Sequence, residues 1–133
     1  MTLIAPIVNA VTHLHTQRHP IIHGDIKPSN IIMRKDGATA VLVGFSLVKE
    51  AVTNRTLTFD RYHAPGYKAP EQYSGVTDPR TDIYALGAVL YTLLTGSIPA
   101  GALYRVRHLV EKKPDPLISM NQTSTEYSNG HSQ

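Results

Sequence analysis

The chain has 133 residues, the length of one ordinary domain, and its 41% hydrophobic and 17% charged content is that of a chain with a core to bury, not of a disordered one. The 13 Lys and Arg against 10 Asp and Glu leave a net +3, and the basic residues are scattered apart from pairs at Arg34 and Lys35 and at Lys112 and Lys113. No basic stripe interleaved with aromatics is present, which argues against nucleic-acid binding. Cysteine is absent, which rules out disulfides and thiolate metal sites and fits the cytoplasm. No signal peptide is expected, and the longest apolar run, residues 84–94, is too short to span a bilayer.

Apolar residues at Leu3, Ile4, Ile7, Val8, Val11 and Leu14 recur with the helical period. Pro6 requires that helix to begin just before it, and Arg18, His19 and Pro20 end it. Two short β-rich runs follow, 31–34 and 39–43, joined through Lys35, Asp36 and Gly37; Asp-Gly between apolar runs predicts a hairpin. Residues 44–71 have little periodicity and read as a long loop. Residues 81–95, TDIYALGAVLYTLLT, predict a helix capped by Thr81 or Asp82 and closed by Gly96. Its apolar residues cover almost every face, so it is expected to be a buried central post. A weaker helix is expected over 102–113, stopped by Pro114 and Pro116, and residues 119–133 form a polar, loose tail. No internal repeat is visible.

Residues 23–30 read HGDIKPSN. Asp25 can accept a proton from a hydroxyl, Lys27 can neutralise phosphoryl charge, and the Asn30 amide oxygen can ligate Mg²⁺, while Pro28 stiffens the turn. Gly, Asp, Pro, Ser and Asn are also common turn formers, so the stretch by itself leaves a catalytic and a plain structural reading open. The histidines His13, His15, His19 and His23 have in part the spacing of metal ligands, but Pro20 ends the helix that would align them, and no metal site is expected there.

The surroundings separate the two readings. LH at Leu14 and His15, HGDIKPSNII at 23–32, VGFSLVKE at 43–50, GYKAPEQY at 66–73 and DIYALG at 82–87 occur in one order. Together they resemble the larger C-terminal lobe of a eukaryotic-type protein kinase, closest in wording to bacterial Ser/Thr kinases. The resemblance implies an α+β, mainly helical lobe with a small hairpin over residues 1–118. It implies transfer of the γ-phosphoryl group of ATP to a protein Ser or Thr hydroxyl, with Mg²⁺. By the same resemblance His23-Gly24-Asp25 stands where the family has H-R-D, so Asp25 matches the catalytic base and Lys27 the lysine beside the γ-phosphate. Asn30 matches the Mg²⁺-binding asparagine and Ile32 the apolar residue under the adenine ring. His23 and His15 match packing residues, Glu71 closes the A-P-E stretch, and Asp82 matches a buried aspartate that binds the catalytic-loop backbone.

The sequence also departs from that pattern. The family's D-F-G is Gly44-Phe45-Ser46, which keeps the packing residue Phe45 but replaces the carboxylate that ligates the metal. Ala64 stands where Ser/Thr-specific members have a threonine, and Gly24 replaces the arginine that reads an activation-loop phosphate, so Thr53, Thr56 and Thr58 are expected to be ordinary loop residues. No G-x-G-x-x-G loop and no V-A-I-K-type lysine are found, so the chain reads as lacking the smaller lobe, and Glu71 is expected to lack its arginine partner. These departures predict a chain inactive on its own, with binding of ATP and Mg²⁺ in doubt. The alternatives are a pseudokinase-type protein-interaction module and a remnant of a longer kinase gene. Nothing in the sequence points to a particular substrate or protein partner.

Overall fold

The computed structural model describes residues 4–37, 39–45, 49–50 and 65–119. The expectations for Leu3, Ser46, Thr53, Thr56, Thr58, Ala64 and for nearly all of the polar tail, 120–133, lie outside the described residues.

Helix α1 spans Ala5–His15, with Pro6 in its first turn where its missing N–H breaks no helical bond. It buries Ile7 and Val11, one turn apart on one face. Strands β2 (Ile31–Met33) and β3 (Ala40–Leu42) pair antiparallel, with Ile31 opposite Leu42 and Met33 opposite Ala40. The predicted turn closes the hairpin: Gly37 N–H donates to the Arg34 carbonyl at 3.0 Å, and the Asp36 carboxylate accepts from the Thr39 N–H at 3.0 Å. Gly37 takes φ +69°, a backbone that suits glycine.

Two further strands leave no mark in the sequence. Strand β1, Ile21–Ile22, pairs antiparallel with β4, Lys49–Glu50, in a separate two-stranded sheet. Each is two residues long, too short to carry a period of two. Residues 44–71 are thus not all loop: they include β4 and the start of a 3-10 turn, Pro70–Ser74.

Helix α2 spans Pro79–Thr95, starting before the expected Thr81. Its cap is Asp78, whose Oδ1 accepts the Arg80 N–H at 2.8 Å, with Pro79 pre-setting the first helical turn. Gly96 ends it at φ +71°, as the sequence predicts. Helix α3 spans Ala102–Val110, shorter than the expected 102–113.

The core lies where α1, β3 and α2 meet. Ile7 and Val11 pack with Leu42, Ile26, Ala85 and Val89, all nearly closed to water. Burying an aliphatic side chain of this kind contributes roughly 1.5–3 kcal/mol. α2 is not buried all round, contrary to the expectation of a central post: among the described residues its neighbours cover one side, and Ile83, Leu93 and Leu94 stay about half exposed.

Candidate functional site

The loop between β1 and β2, residues 23–30, is held from below by α2. Asp82 is completely buried in the first turn of that helix. Its Oδ2 accepts the His23 N–H and its Oδ1 the Gly24 N–H, at 2.8 and 2.9 Å. His15, at the end of α1, donates from Nε2 to Oδ2 at 2.8 Å. One buried carboxylate thus receives a donor from α1 and two from the loop backbone, which offsets the cost of taking its charge out of water.

His23 is equally buried. Its Nδ1 accepts the Asp25 N–H at 3.1 Å, so Nε2 carries the hydrogen and donates to the Val43 carbonyl at 2.8 Å. The Phe45 ring stands edge-on to the imidazole with centroids 5.0 Å apart. His23 therefore joins the loop to the segment that follows β3.

Asp25, Lys27 and Asn30 are brought together on one side of the loop. Lys27 Nζ lies 3.5 Å from Asp25 Oδ1. Asn30 Nδ2 donates to the Asp25 carbonyl at 2.8 Å and to its Oδ2 at 3.2 Å. The 3-10 turn Pro28–Asn30 sets this geometry by carrying the chain from Lys27 directly into β2. Gly44 joins the group from the end of β3, because the Val43 N–H donates to the Asn30 carbonyl at 2.8 Å. Ile32, on β2, is 53% exposed and faces away from the core.

Glu71 and Gln72 flank the loop from the 3-10 turn Pro70–Ser74. Glu71 Oε1 accepts the Thr81 hydroxyl at 2.9 Å. Gln72, which no sequence motif singles out as functional, bridges two segments. Its Nε2 donates to the Gly24 carbonyl at 2.8 Å, and its Oε1 accepts the Ala69 N–H at 2.9 Å. Only its position beside Glu71 draws attention to it in the sequence. Hydrogen bonding to Arg80 lowers the pKa of Asp78, and hydrogen bonding to Arg105 lowers that of Asp115.

The sequence profile of the protein kinase domain matches residues 1–129. The chain belongs to the protein kinase domain family. It is 37% identical over 125 residues to the DNA damage-responsive serine/threonine-protein kinase RqkA of Deinococcus radiodurans, covering 87% of this chain and 18% of that protein. It is 33% identical over 125 residues to the probable serine/threonine-protein kinase PknB of Lactococcus lactis, covering 90% and 19%. It is 36% identical over 117 residues to U-box domain-containing protein 70 of Oryza sativa, covering 83% and 14%. The chain thus spans less than a fifth of the length of each of these relatives.

Membership of this family implies ATP and Mg²⁺ in general, and the donor set here can be tested against the metal. Mg²⁺ wants an octahedron of hard oxygens, with one or two carboxylates among them. Gly44 offers no side chain, both oxygens of Asp25 face donors from Lys27 or Asn30, and no cluster of three or more His, Cys, Asp or Glu with metal-holding geometry exists among the described residues. Among the described residues the Asn30 amide oxygen is left as the lone candidate ligand at the loop, and these residues do not fit a magnesium site. No helix among the described residues is long and apolar enough to cross a membrane.

Proposed function

We propose that this chain is the larger, C-terminal lobe of a Ser/Thr-type protein kinase domain whose catalytic loop is kept as a framework but does not by itself transfer a phosphoryl group. The family reaction moves the γ-phosphoryl group of ATP to a Ser or Thr hydroxyl, almost entirely by positioning and charge stabilisation. Asp25 stands as the base and Lys27 as the phosphate-side cation, and the buried support of Asp82 and His23 favours that assignment. The single observation that carries inactivity is Gly44 packed against Asn30, where the reaction needs a carboxylate for the metal. Ile32, exposed on β2, is the surface that would meet an adenine ring. The cysteine-free composition supports a cytoplasmic setting.

The test is direct. The purified 133-residue chain, given Mg²⁺-ATP and a general protein substrate, should incorporate no more phosphate than its Asp25→Asn variant. Calorimetric titration with ATP should give the same heats with and without Mg²⁺. Incorporation that Asp25→Asn abolishes, or tight binding of ATP only when Mg²⁺ is present, overturns the reading.

A second reading, a pseudokinase-type interaction module, is favoured by apolar side chains left in water beside the loop: Ile32 is 53% and Phe45 46% exposed. A chain that stays monomeric at high concentration and binds no dye that reports apolar surface counts against it.

A further inference from the structure

Ala102 is buried and seats the start of α3, but the rest of that helix turns apolar side chains to water. Leu103, Val106 and Val110 follow one another at helical spacing on one face, with Leu109 beside Val106. Leu109 and Val110 are 76% and 75% exposed, and Leu103 and Val106 are exposed as well. Single exposed apolar residues are ordinary, whereas a continuous stripe marks a surface with something to meet.

Basic side chains border the stripe. Arg107 lies one turn from Leu103 and from Val110, and Lys113 lines the same groove as Val106 and Leu109. Arg107 and Lys113 share one carboxylate, that of Glu111, at 3.2 and 2.7 Å. With Lys112, three basic residues stand against one acidic residue, so +2 of the chain's net +3 gathers at this end of α3. Lys112 has φ +56°, and among the described residues it alone, apart from glycines, lies in the left-handed region. Helices commonly end in that conformation on glycine, so a lysine there keeps a cation at a conformational cost.

We propose that α3 with Lys112 and Lys113 is a docking surface for an anionic lipid bilayer, on which the chain lies without crossing it. A helix of this kind sinks its apolar side chains among the headgroups and leaves its Lys and Arg at the level of the phosphates. A small ligand suits this face less well. The cavity between α3, Pro70 and Tyr84 holds about 240 Å³, below the roughly 300–1,000 Å³ of ligand pockets. Leu109 and Val110, the most exposed of the stripe, stand at the C-terminal end of the helix, where a flat surface can reach both. The proposal uses none of residues 23–30 and does not depend on whether that loop transfers phosphate.

Co-sedimentation of the 133-residue chain with vesicles tests it, using phosphatidylcholine and phosphatidylglycerol in equal parts against phosphatidylcholine alone. Binding to the anionic vesicles is expected to be at least tenfold stronger and to weaken as salt is added. Leu109→Ser combined with Val110→Ser should lower that binding at least tenfold, because the apolar contact is gone. Lys112→Gly removes a charge and relaxes the backbone, so binding should fall about fivefold while the urea midpoint does not fall. If the double serine variant does not fold, Lys112→Gly decides alone. No binding to anionic vesicles, equal binding to both kinds, or variants that bind like the wild type overturn the proposal. Capture of an acidic amphipathic peptide without vesicle binding also overturns it and gives the face to a protein partner. Kinase activity in the chain would sink the reading of function and leave the vesicle result as it stands.

Discussion

The carboxylate of Asp82 and the backbone N–H of His23, 59 residues apart in the chain, meet at 2.8 Å with no access to water. Two more donors, the Gly24 N–H and His15 Nε2, converge on the same group. Asp82→Asn keeps the size of the side chain but turns an NH₂ toward at least one of these donors. Charge-assisted hydrogen bonds contribute about 1.5–3 kcal/mol each, and a buried donor left unmatched costs a similar amount, so the variant should lose about 3 kcal/mol. With an m-value of about 1–3 kcal/mol/M, that is a fall of about 1–3 M in the urea midpoint. A midpoint within error of the wild type would show that the loop is held by something other than this carboxylate.

Much of this frame is legible in the sequence, and the reasons are local. The apolar period marks α1 through Ile7 and Val11, and Asp36-Gly37 marks the hairpin. Gly96 marks the end of α2 because a left-handed cap needs glycine there. The apolar run misplaces the start of α2 because Asp78 and Pro79 lie outside it, although Asp followed by Pro is itself a start signal. Glu71 stands alone in the sequence because its expected partner is a distant arginine, whereas the fold supplies the hydroxyl of Thr81. The fit of Asn30 over Gly44 is out of reach of sequence, since it depends on the sign of φ at residue 44 and on how Val43 pairs with Asn30. Neither is written in residue type.

Gln72 offers a second test of the frame. It ties the Gly24 carbonyl to the Ala69 N–H and so fastens the Pro70–Ser74 turn to the catalytic loop. Gln72→Ala removes both bonds. At about 1 kcal/mol for each, the expected loss is about 1–2 kcal/mol. The Ala69 amide should also exchange its hydrogen faster, because its acceptor is gone. Unchanged exchange at Ala69 would mean that this bond does not persist in solution.

Thr81 is buried and uses its hydroxyl twice, donating to Glu71 at 2.9 Å and accepting the Asp78 N–H at 3.2 Å. Thr81→Val keeps the shape and deletes both functions, leaving a part-buried carboxylate and a cap N–H without their partner. The expected cost is about 1–3 kcal/mol, and Thr81→Ser should recover most of it. Urea midpoints of the two variants decide the matter. If valine is as stable as the wild type, the two hydrogen bonds contribute nothing to the fold.

Arg105 fastens α3 to the segment after it through a two-pronged ion pair with Asp115, at 3.1 and 2.8 Å. That pair holds the Asp115 carboxyl below its ordinary value of 3.8, with the Leu117 N–H adding to the effect. Because the folded-state value lies below the unfolded one, the contribution is fully present above about pH 4–5 and fades as pH falls through the lower folded value. The Asp115 side chain is 50% exposed, so water screens the pair and its contribution should stay below about 1 kcal/mol. Asp115→Asn should therefore be slightly less stable than the wild type near neutrality, and the gap should close as the solution is acidified below about pH 4. The check is a set of urea midpoints for both chains from neutrality to about pH 2.5. A gap that stays open at the acid end would place the stabilising group elsewhere, because a protonated carboxyl at position 115 has no charge left to offer Arg105.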